Sequence, residues 1–305
     1  MSICAPASAL TDTYHYAEHR QPDCVILAAE LADCAEFELL ESLFRIMGIG
    51  CVLFGETGTG RKGKKSTTND QNVIWVPSSA SMDELFSAVV AMKRQSPKAS
   101  ARVASATYPD TFDPKRIILI GASTGGIDAL LKTVRHFSEH CPPTLIVQHT
   151  GGSFAKSLIR LLDGATPASV KAAVDGQHVK PGNIYMAPGD GSHLCLEAGS
   201  QLRVALREHD LVTGHRPSID ALFLSARCYA PHITAAILTG MGRDGANGLL
   251  ELHRAGAHTI GQDKATSVVY GMPKVAMELG GVAEQLPIER IGPALLRASL
   301  LKARV

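Results

Sequence analysis

The sequence predicts a two-domain α/β protein whose larger domain is built on a doubly wound, largely parallel sheet. Short apolar runs alternate with amphipathic helical patterns through most of the second half of the chain. Continuous apolar runs are typical of parallel strands buried on both faces, and the alternation indicates right-handed crossovers in a Rossmann-like, three-layer arrangement. A chain of 305 residues is long enough for two domains that each bury a core.

The first part of the chain carries fewer elements than a complete doubly wound domain. Short buried strands are predicted at 24–29, 51–54 and 72–76, which gives a β-α-β-β-α order once two helices are included. The two helical patterns repeat apolar residues on one face: Phe37, Leu40, Phe44 and Met47 within residues 35–48, and Leu85, Val89 and Met92 within residues 81–94.

Residues 94–114 combine Ser, Ala, Pro and charged residues without periodicity, which predicts a linker. This linker separates a first domain, residues 1–93, from a second domain, residues 115–305. The strands of the second domain are predicted at 116–122, 144–149, 183–188, 201–206, 234–240 and 258–263, the third and fourth around a turn, with helices at 125–137, 153–163, 217–230, 246–257 and 273–280.

Composition and charge narrow the classes of function. Lys and Arg number 30 and Asp and Glu 29, so the formal net charge of +1 creates no field that attracts nucleic acid. The seven cysteines form no Cys-x-x-Cys pair, which favours idle thiols in a reducing compartment. The N-terminus lacks a signal-peptide pattern, and no apolar run is long enough to span a bilayer. We therefore expect a cytoplasmic protein that inserts into no membrane and uses no metal or cofactor.

A Gly-rich stretch at 55–66, GETGTGRKGKKS, follows a predicted strand and raises the alternative of an NTPase. A P-loop requires Gly-x-x-x-x-Gly-Lys followed by Ser or Thr, because the lysine contacts phosphates and the hydroxyl holds Mg²⁺. Counted from Gly55, an arginine occupies the lysine position and Lys62 the hydroxyl position; counted from Gly58, the hydroxyl is again missing. We interpret the stretch as a basic insertion that suits an acidic partner better than a nucleotide.

Reactive side chains follow three strands of the predicted parallel sheet. Ser123 and Thr124 follow the first strand in GASTGG, His149 ends the second, and Asp244 comes just after the fifth in MGRDGA. The carboxyl ends of parallel strands share one edge, where ligands bind. A serine becomes nucleophilic when an imidazole takes its proton and a carboxylate orients that imidazole, so this edge predicts a Ser-His-Asp site.

Each of these residues also has a structural interpretation. Ser123 could be a helix N-cap, His149 a hydrogen-bonded core histidine and Asp244 an N-cap or turn aspartate. Asp190 and His193, in APGDGSH after another strand, are a rival acid and a rival base. The residues alone indicate an edge of the sheet without choosing the triad.

Six stretches occur in one order through the second domain: IILIGASTGG, IVQH, DGQHVKPGNIYMAPGD, HRPSIDALFLS, AAILTGMGRDGANGL and ATSVVYGMPKVAM. Together they resemble the catalytic domain of CheB-type protein-glutamate methylesterases of bacterial chemotaxis, from residue 115 to about residue 296. The resemblance implies hydrolysis of γ-glutamyl methyl esters on methyl-accepting chemotaxis receptors, with release of methanol. It also implies deamidation of receptor glutamines, since both reactions pass through a tetrahedral intermediate at an acyl carbon.

The resemblance places the catalytic serine at Ser123, the histidine at His149 and the aspartate at Asp244 rather than Asp190. One departure concerns the loop after the histidine, where family members commonly have Met-Pro-Pro-x-Phe and this chain has TGGSF at 150–154. Two glycines make that loop more flexible than two prolines would, which puts the substrate fit at this edge in doubt.

Three further residues are substrate-binding candidates. Backbone N–H groups near Thr124 and Met241 are the expected oxyanion hole by analogy with the family. Arg216, in HRPS, either holds the acidic receptor surface or forms a structural salt bridge. The alternative to an enzyme is a catalytically silent, receptor-binding signalling scaffold of the same fold.

The first domain resembles the third strand, third helix and fourth strand of a flavodoxin-like phospho-receiver, which in this family blocks the catalytic domain until it is phosphorylated. Ala28 occupies the position of the phosphorylated aspartate, and Val76 that of the lysine before the proline. An alanine has no carboxylate to accept a phosphoryl group or bind Mg²⁺. The resemblance therefore implies a truncated pseudo-receiver that is not switched by aspartyl phosphate and that docks on the catalytic domain, mediates dimerisation or binds a signalling partner.

Overall fold

A computed structural model describes residues 10–20, 22–33, 37, 40–41, 44–45, 48–56, 72–95, 112–150, 152–197, 199 and 201–301. The chain forms two compact units, residues 1–104 and 105–305, and each is described by itself. The division between the units falls inside the stretch predicted as a linker, most of which lies outside the described residues.

The first unit contains a three-stranded parallel sheet in the order β1-β2-β3. The three predicted strands are confirmed, and Val52 and Val76 of the sheet pack against Met92 in a small buried cluster. Helix α1 was not predicted, because its mixture of charged and polar residues has little apolar periodicity. The elements are α1 (Leu10–Arg20), β1 (Cys24–Ala28), β2 (Gly50–Phe54), β3 (Val73–Val76) and α2 (Met82–Gln95).

Several predictions on the first part of the chain concern residues that are described only in part. Phe37, Leu40 and Phe44 of the helix predicted at 35–48 are helical and buried, whereas Met47 lies outside the described residues. The Gly-rich stretch is described only at its first two residues, 55 and 56.

The second unit is built on a seven-stranded sheet in which every neighbouring pair of strands is parallel, in the order β12-β11-β10-β4-β5-β7-β6. The predicted α/β class with a doubly wound parallel sheet is confirmed. Every residue of β4, β5 and β10 is buried, as their continuous apolar sequences require. The strands are β4 (Ile117–Ala122), β5 (Thr144–Gln148), β6 (Ser169–Ala172), β7 (Asn183–Met186), β10 (Ile233–Ile237), β11 (His258–Gln262) and β12 (Glu284–Leu286).

The order of the strands creates a switch point at β4. The chain continues from β4 to β5 on one side of it and later returns to β10 on the other side, so the loops after these strands diverge above the centre of the sheet. The helices form two groups, with α3 in contact with α4 and α8, and α6 in contact with α5 and α7. They are α3 (Gly126–Val134), α4 (Gly152–Asp163), α5 (Ile219–Ser225), α6 (Ala246–Arg254), α7 (Met272–Glu278) and α8 (Ile288–Ala298).

One prediction about the second unit was wrong. The strands expected around a turn at 183–188 and 201–206 belong to different sheets, because β8 (His193–Glu197) intervenes and pairs antiparallel with β9 (Arg203–Arg207). Strand β8 was not predicted, and its first residue, His193, was considered only as a rival base. Strands β6 and β12 were missed because they are short and partly polar.

Within the ranges given above, no helix combines the length and the hydropathy needed to cross a membrane.

Candidate active site

Ser123 lies directly after β4 and before α3, at the switch point of the sheet. Its backbone N–H donates to the carbonyl of Thr239, which follows β10, and its own carbonyl accepts from Gly126 N–H. The N-cap of α3 is Gly125, with a φ of 75° and no side-chain cap bond. The left-handed turn at Gly125 therefore leaves the Ser123 hydroxyl free of the capping role that was its structural interpretation.

The Ser123 hydroxyl contacts an imidazole that in turn contacts a carboxylate. Ser123 Oγ lies 3.1 Å from His149 Nδ1, and His149 Nε2 lies 2.7 Å from Asp244 Oδ2. Because an ionised carboxylate can only accept, Nε2 carries the proton and donates to Asp244. Nδ1 is then left with its lone pair facing the serine, which is the arrangement a general base needs.

Asp244 is held entirely by hydrogen-bond donors in a buried position. Besides His149 Nε2, it accepts from Ser218 Oγ at 2.7 Å, from Ile219 N–H at 2.7 Å and from Asp220 N–H at 3.1 Å. The two backbone donors open the first turn of α5, where N–H groups have no partner within the helix. Burial acts to raise the pKa of Asp244, but the hydrogen bonds from His149, Ile219 and Ser218 outweigh it and leave that pKa below its ordinary value.

The rival residues occupy other positions. His193 is buried; its Nε2–H donates to the carbonyl of Asp210, and its Nδ1 accepts from Ser218 N–H, so it supports the serine that binds Asp244. Asp190 accepts from the backbone and hydroxyl of Ser192 in a local turn. Neither rival forms a hydrogen bond to Ser123 or His149 in the described part of the chain, so the geometry favours Asp244 over Asp190.

The backbone next to Ser123 offers unused donors. Neither Thr124 N–H nor Met241 N–H donates a hydrogen bond to another residue in the portion of the chain that the structure covers. The loop of Met241 is close to the serine, because a Cβ built on Gly240 would lie 2.7 Å from Ser123 Cβ and would also meet Met272 Sδ. The carbonyl of Thr124 accepts from Thr239 Oγ1 at 2.9 Å, which joins the two loops. An oxyanion hole formed by Thr124 and Met241 remains a prediction that this arrangement favours.

Arg216 is exposed, and its Nη1 donates to the carbonyl of His209 at 2.9 Å. No ion pair of Arg216 is found among the described residues, so none of these supplies the structural salt bridge that was its alternative role. Its remaining donors are available for an acidic group in solution.

Sequence reasoning missed several residues that support the triad. Ser218 is the N-cap of α5 and also donates to Asp244; the Ser after Pro217 at the start of a helical pattern was the signal for the cap. Gln148, next to His149, donates from Nε2 to the Ser123 carbonyl at 2.9 Å. Its role depends on the β4–β5 register, which the sequence does not specify.

Two further observations concern metal ligands and the loop after His149. Among the described residues, no three His, Cys, Asp or Glu side chains are grouped as metal ligands. In the unusual loop after His149, Gly152 is already the first residue of α4, while Gly151 lies outside the described residues.

Comparison with known proteins gives consistent results. The chain matches the family described as CheB methylesterase over residues 118–295. The protein-glutamate methylesterase/protein-glutamine glutaminase 1 of Caulobacter vibrioides is 36% identical over 288 residues, which is 90% of this chain and 84% of that protein. The similarly named protein of Gluconobacter oxydans is 37% identical over 295 residues, covering 90% of this chain and 82% of its own length.

Among solved structures, the CheB methylesterase catalytic domain of Thermotoga maritima aligns with a TM-score of 0.58 and 37% sequence identity. The alignment covers 60% of this chain and 98% of that one. The two curated relatives align over more of the chain than the second unit alone contains, so their similarity extends into residues 1–104.

Proposed function

Because this chain belongs to the CheB methylesterase family, we propose that it is a protein-glutamate methylesterase that hydrolyses γ-glutamyl methyl esters on chemoreceptors. Glutamine deamidation is the second reaction, as the paired names of the relatives suggest. The observation that carries this proposal is the continuous contact from Ser123 Oγ through His149 to Asp244 at the switch point of the sheet. The part of a receptor that carries these esters lies in the cytoplasm, and we therefore place the enzyme there.

Ser123 acts as the nucleophile. Its Oγ forms a bond to the ester carbonyl carbon while its proton passes to His149 Nδ1, 3.1 Å away. The carbonyl oxygen becomes an oxyanion, which the N–H groups of Thr124 and Met241 stabilise. The tetrahedral intermediate collapses when the bond to the methoxy oxygen breaks and that oxygen takes the proton from Nδ1, so methanol leaves and an acyl-enzyme remains.

His149 and Asp244 then act on water. A water molecule gives a proton to Nδ1 and attacks the acyl carbon, and the proton returns to Ser123 Oγ as the glutamate side chain departs. With a glutamine substrate, the same steps release ammonia in place of methanol. The buried carboxylate of Asp244 stays ionised throughout because its pKa is lowered, and it stabilises the imidazolium that forms twice in each cycle.

The proposal predicts that the purified full-length protein releases methanol from membranes that carry methylated chemoreceptors. The expected result is time-dependent release of methyl label that saturates with receptor concentration and requires the enzyme. Unmethylated membranes serve as the control for background methanol. Failure to release methanol from receptors of several bacteria, while a serine-directed phosphonate probe still labels the protein, would point to a different ester as substrate.

For the first unit, we propose a pseudo-receiver without a phosphoacceptor. Ala28 is the last, exposed residue of β1, and Val76 ends β3 in a buried position, so neither strand end carries the aspartate or the lysine of a working receiver. This unit then serves a signalling partner, dimerisation or docking rather than phosphorylation control.

Acetyl phosphate with Mg²⁺ should therefore leave the methylesterase rate unchanged, within about twofold. The measurement compares methanol release with and without the phosphodonor, together with the intact mass of the protein. An unmodified receiver that keeps its aspartate is the positive control for the reagent. Activation of this protein that disappears when residues 1–104 are removed would contradict the proposal.

A further inference from the structure

The His149 imidazole has a second histidine against its face. The ring of His215 is stacked on it, with the ring centroids 3.8 Å apart and the planes 8° from parallel. At this separation the two rings are in direct van der Waals contact. The triad hydrogen bonds use only the edge of the His149 ring, at Nδ1 and Nε2, so the stack is an additional and different restraint.

This restraint adds to the hydrogen bonds in opposing rotation of the His149 ring. Nδ1 and Nε2 face Ser123 and Asp244 from opposite edges of the ring. Rotation of the ring about its Cβ–Cγ bond carries both nitrogens out of line with these partners, and the 3.1 Å contact to the neutral Ser123 hydroxyl resists it only weakly. Contact with a flat partner on the ring face opposes that rotation.

His215 is carried by a tight turn with an unusual backbone. Val212 and His215 exchange both backbone hydrogen bonds, at 3.1 and 3.0 Å, around Thr213 and Gly214. These central residues have φ values of 52° and 81°, as in a type I′ turn. Thr213 is the single non-glycine residue with positive φ in the described part of the chain, and a β-branched side chain is strained there.

The strained residue is tied to the buried helix end that also holds Asp244. Thr213 Oγ1 donates to Asp220 Oδ2 at 2.9 Å, and the other oxygen of Asp220 accepts from Gly248 N–H at 2.7 Å. Asp220 is 2% exposed, and its own N–H donates to Asp244 Oδ1. The first turn of α5 therefore holds two groups: the Asp244 carboxylate at the edge of the His149 ring, and the turn that places the His215 ring on the face of His149.

We propose that His215 is a positioning residue that sets the plane of the catalytic imidazole. The Thr213–Gly214 turn, which Asp220 clamps by a hydrogen bond, holds the His215 ring against the ring of His149. This inference rests on the proposed function, because it gives His149 the role of the general base. Burial, and next the nearby His149, lowers the pKa of His215 against an opposing effect of Asp244. His149 therefore takes its proton beside an uncharged aromatic face and not beside a second cation.

The face contact is tested by three variants of the full chain. His215→Ala should lower kcat for methanol release by about 10- to 100-fold, the range expected when a catalytic group is misaligned, with KM changed by less than about twofold. His215→Phe keeps a flat ring and should recover most of the rate. His140→Ala is the matched control, because that histidine is exposed and lies beside Glu139, and it should match the wild type.

The clamp is tested at Thr213. Thr213→Ser keeps the hydroxyl that bonds Asp220 and should behave as the wild type, whereas Thr213→Val removes it at nearly constant shape and should lower kcat by about 10-fold. In both sets, the low-field proton resonance of the His149–Asp244 hydrogen bond should broaden or move only in the variants that lose activity. Thermal unfolding identifies any variant that fails to fold. If His215→Ala or Thr213→Val does not fold, His215→Phe and Thr213→Ser are compared with the wild type instead.

The outcomes are distinct from a failure of the proposed function. If the wild type releases no methanol, the labelling rate with a serine-directed phosphonate replaces kcat as the measure of Ser123 activation. A His215→Ala protein that is as fast as the wild type in either assay overturns the inference and leaves the esterase intact. A His215→Phe protein as slow as His215→Ala overturns the stacking account, and a fully active Thr213→Val protein overturns the clamp.

Discussion

Replacing Ser123 with alanine should reduce methanol release by about 10⁴-fold or more, which is below detection in a receptor assay. In the proposed mechanism the hydroxyl supplies the oxygen that bonds to the acyl carbon, and the methyl group of alanine can form no such bond. His149 and Asp244 keep their contact at 2.7 Å in this variant, so the remaining imidazole can at best activate water. If removal of one oxygen atom abolishes methanol release, the result is the one expected for a nucleophile and not for a binding residue.

The fold should tolerate this change. The described contact of Ser123 Oγ is the one to His149, and its loss costs only about 1 kcal/mol of the free energy of unfolding. The backbone bonds of Ser123 to Thr239 and Gly126 do not depend on the side chain. Circular dichroism and the midpoint of thermal unfolding should therefore match those of the wild type within a few degrees.

A serine-directed phosphonate probe makes the result independent of the receptor. Wild type should be labelled once per chain, and Ser123→Ala should not be labelled. Ser192→Ala is the matched control, since this buried serine belongs to a neighbouring loop and its hydroxyl donates to Asp190. Label that persists in Ser123→Ala would show another nucleophile, and a wild type that resists the probe would favour the silent scaffold.

The sequence predicted where the site lies better than how it is built. Ser123, His149 and Asp244 each follow an apolar run, and parallel strands must bring their carboxyl ends to one edge of a sheet. That argument needs only the direction of the strands, which the alternation of strands and helices predicts. It cannot rank Asp244 above Asp190, because both follow strands; the hydrogen bond from His149 to Asp244 favours Asp244.

The supporting residues could not be predicted because they depend on tertiary contacts. His193 was interpreted as a rival base after another strand, yet it is the first residue of β8, and its ring accepts a hydrogen bond from the backbone of Ser218. The stacking of His215 on His149 brings together two residues that are far apart in sequence, and it depends on the two-residue turn that precedes His215. Neither periodicity nor composition records such a contact, whereas the buried strands that position the triad are visible as apolar runs.

Replacing Asp244 with asparagine is the second change with a large expected effect, and it should lower kcat by about 10⁴-fold. The carboxylate accepts from four donors, and an amide has only one oxygen that can accept. If the amide nitrogen faces His149, it donates to Nε2, which reverses the tautomer. Nδ1 then carries a proton toward Ser123 and can no longer take one.

The same variant should also be less stable, by about 1–3 kcal/mol in the free energy of unfolding, because at least one buried donor loses its acceptor. The effect depends on pH with a defined sign. Since folding lowers the pKa of Asp244, its carboxylate stabilises the protein above the pKa of the unfolded chain, and this stabilisation is lost as pH falls through the lower, folded value. The difference in stability between wild type and Asp244→Asn should therefore shrink in acid.

Asp190→Asn is the control that separates the two acids. Asp190 is exposed and, among the described residues, accepts only from Ser192 in its own turn. Its replacement should therefore change kcat by less than about threefold and leave the free energy of unfolding nearly unaltered. Urea unfolding at several pH values and methanol release with both variants measure the two effects. A fully active Asp244→Asn protein, or an inactive Asp190→Asn protein of normal stability, would mean that a different carboxylate orients His149.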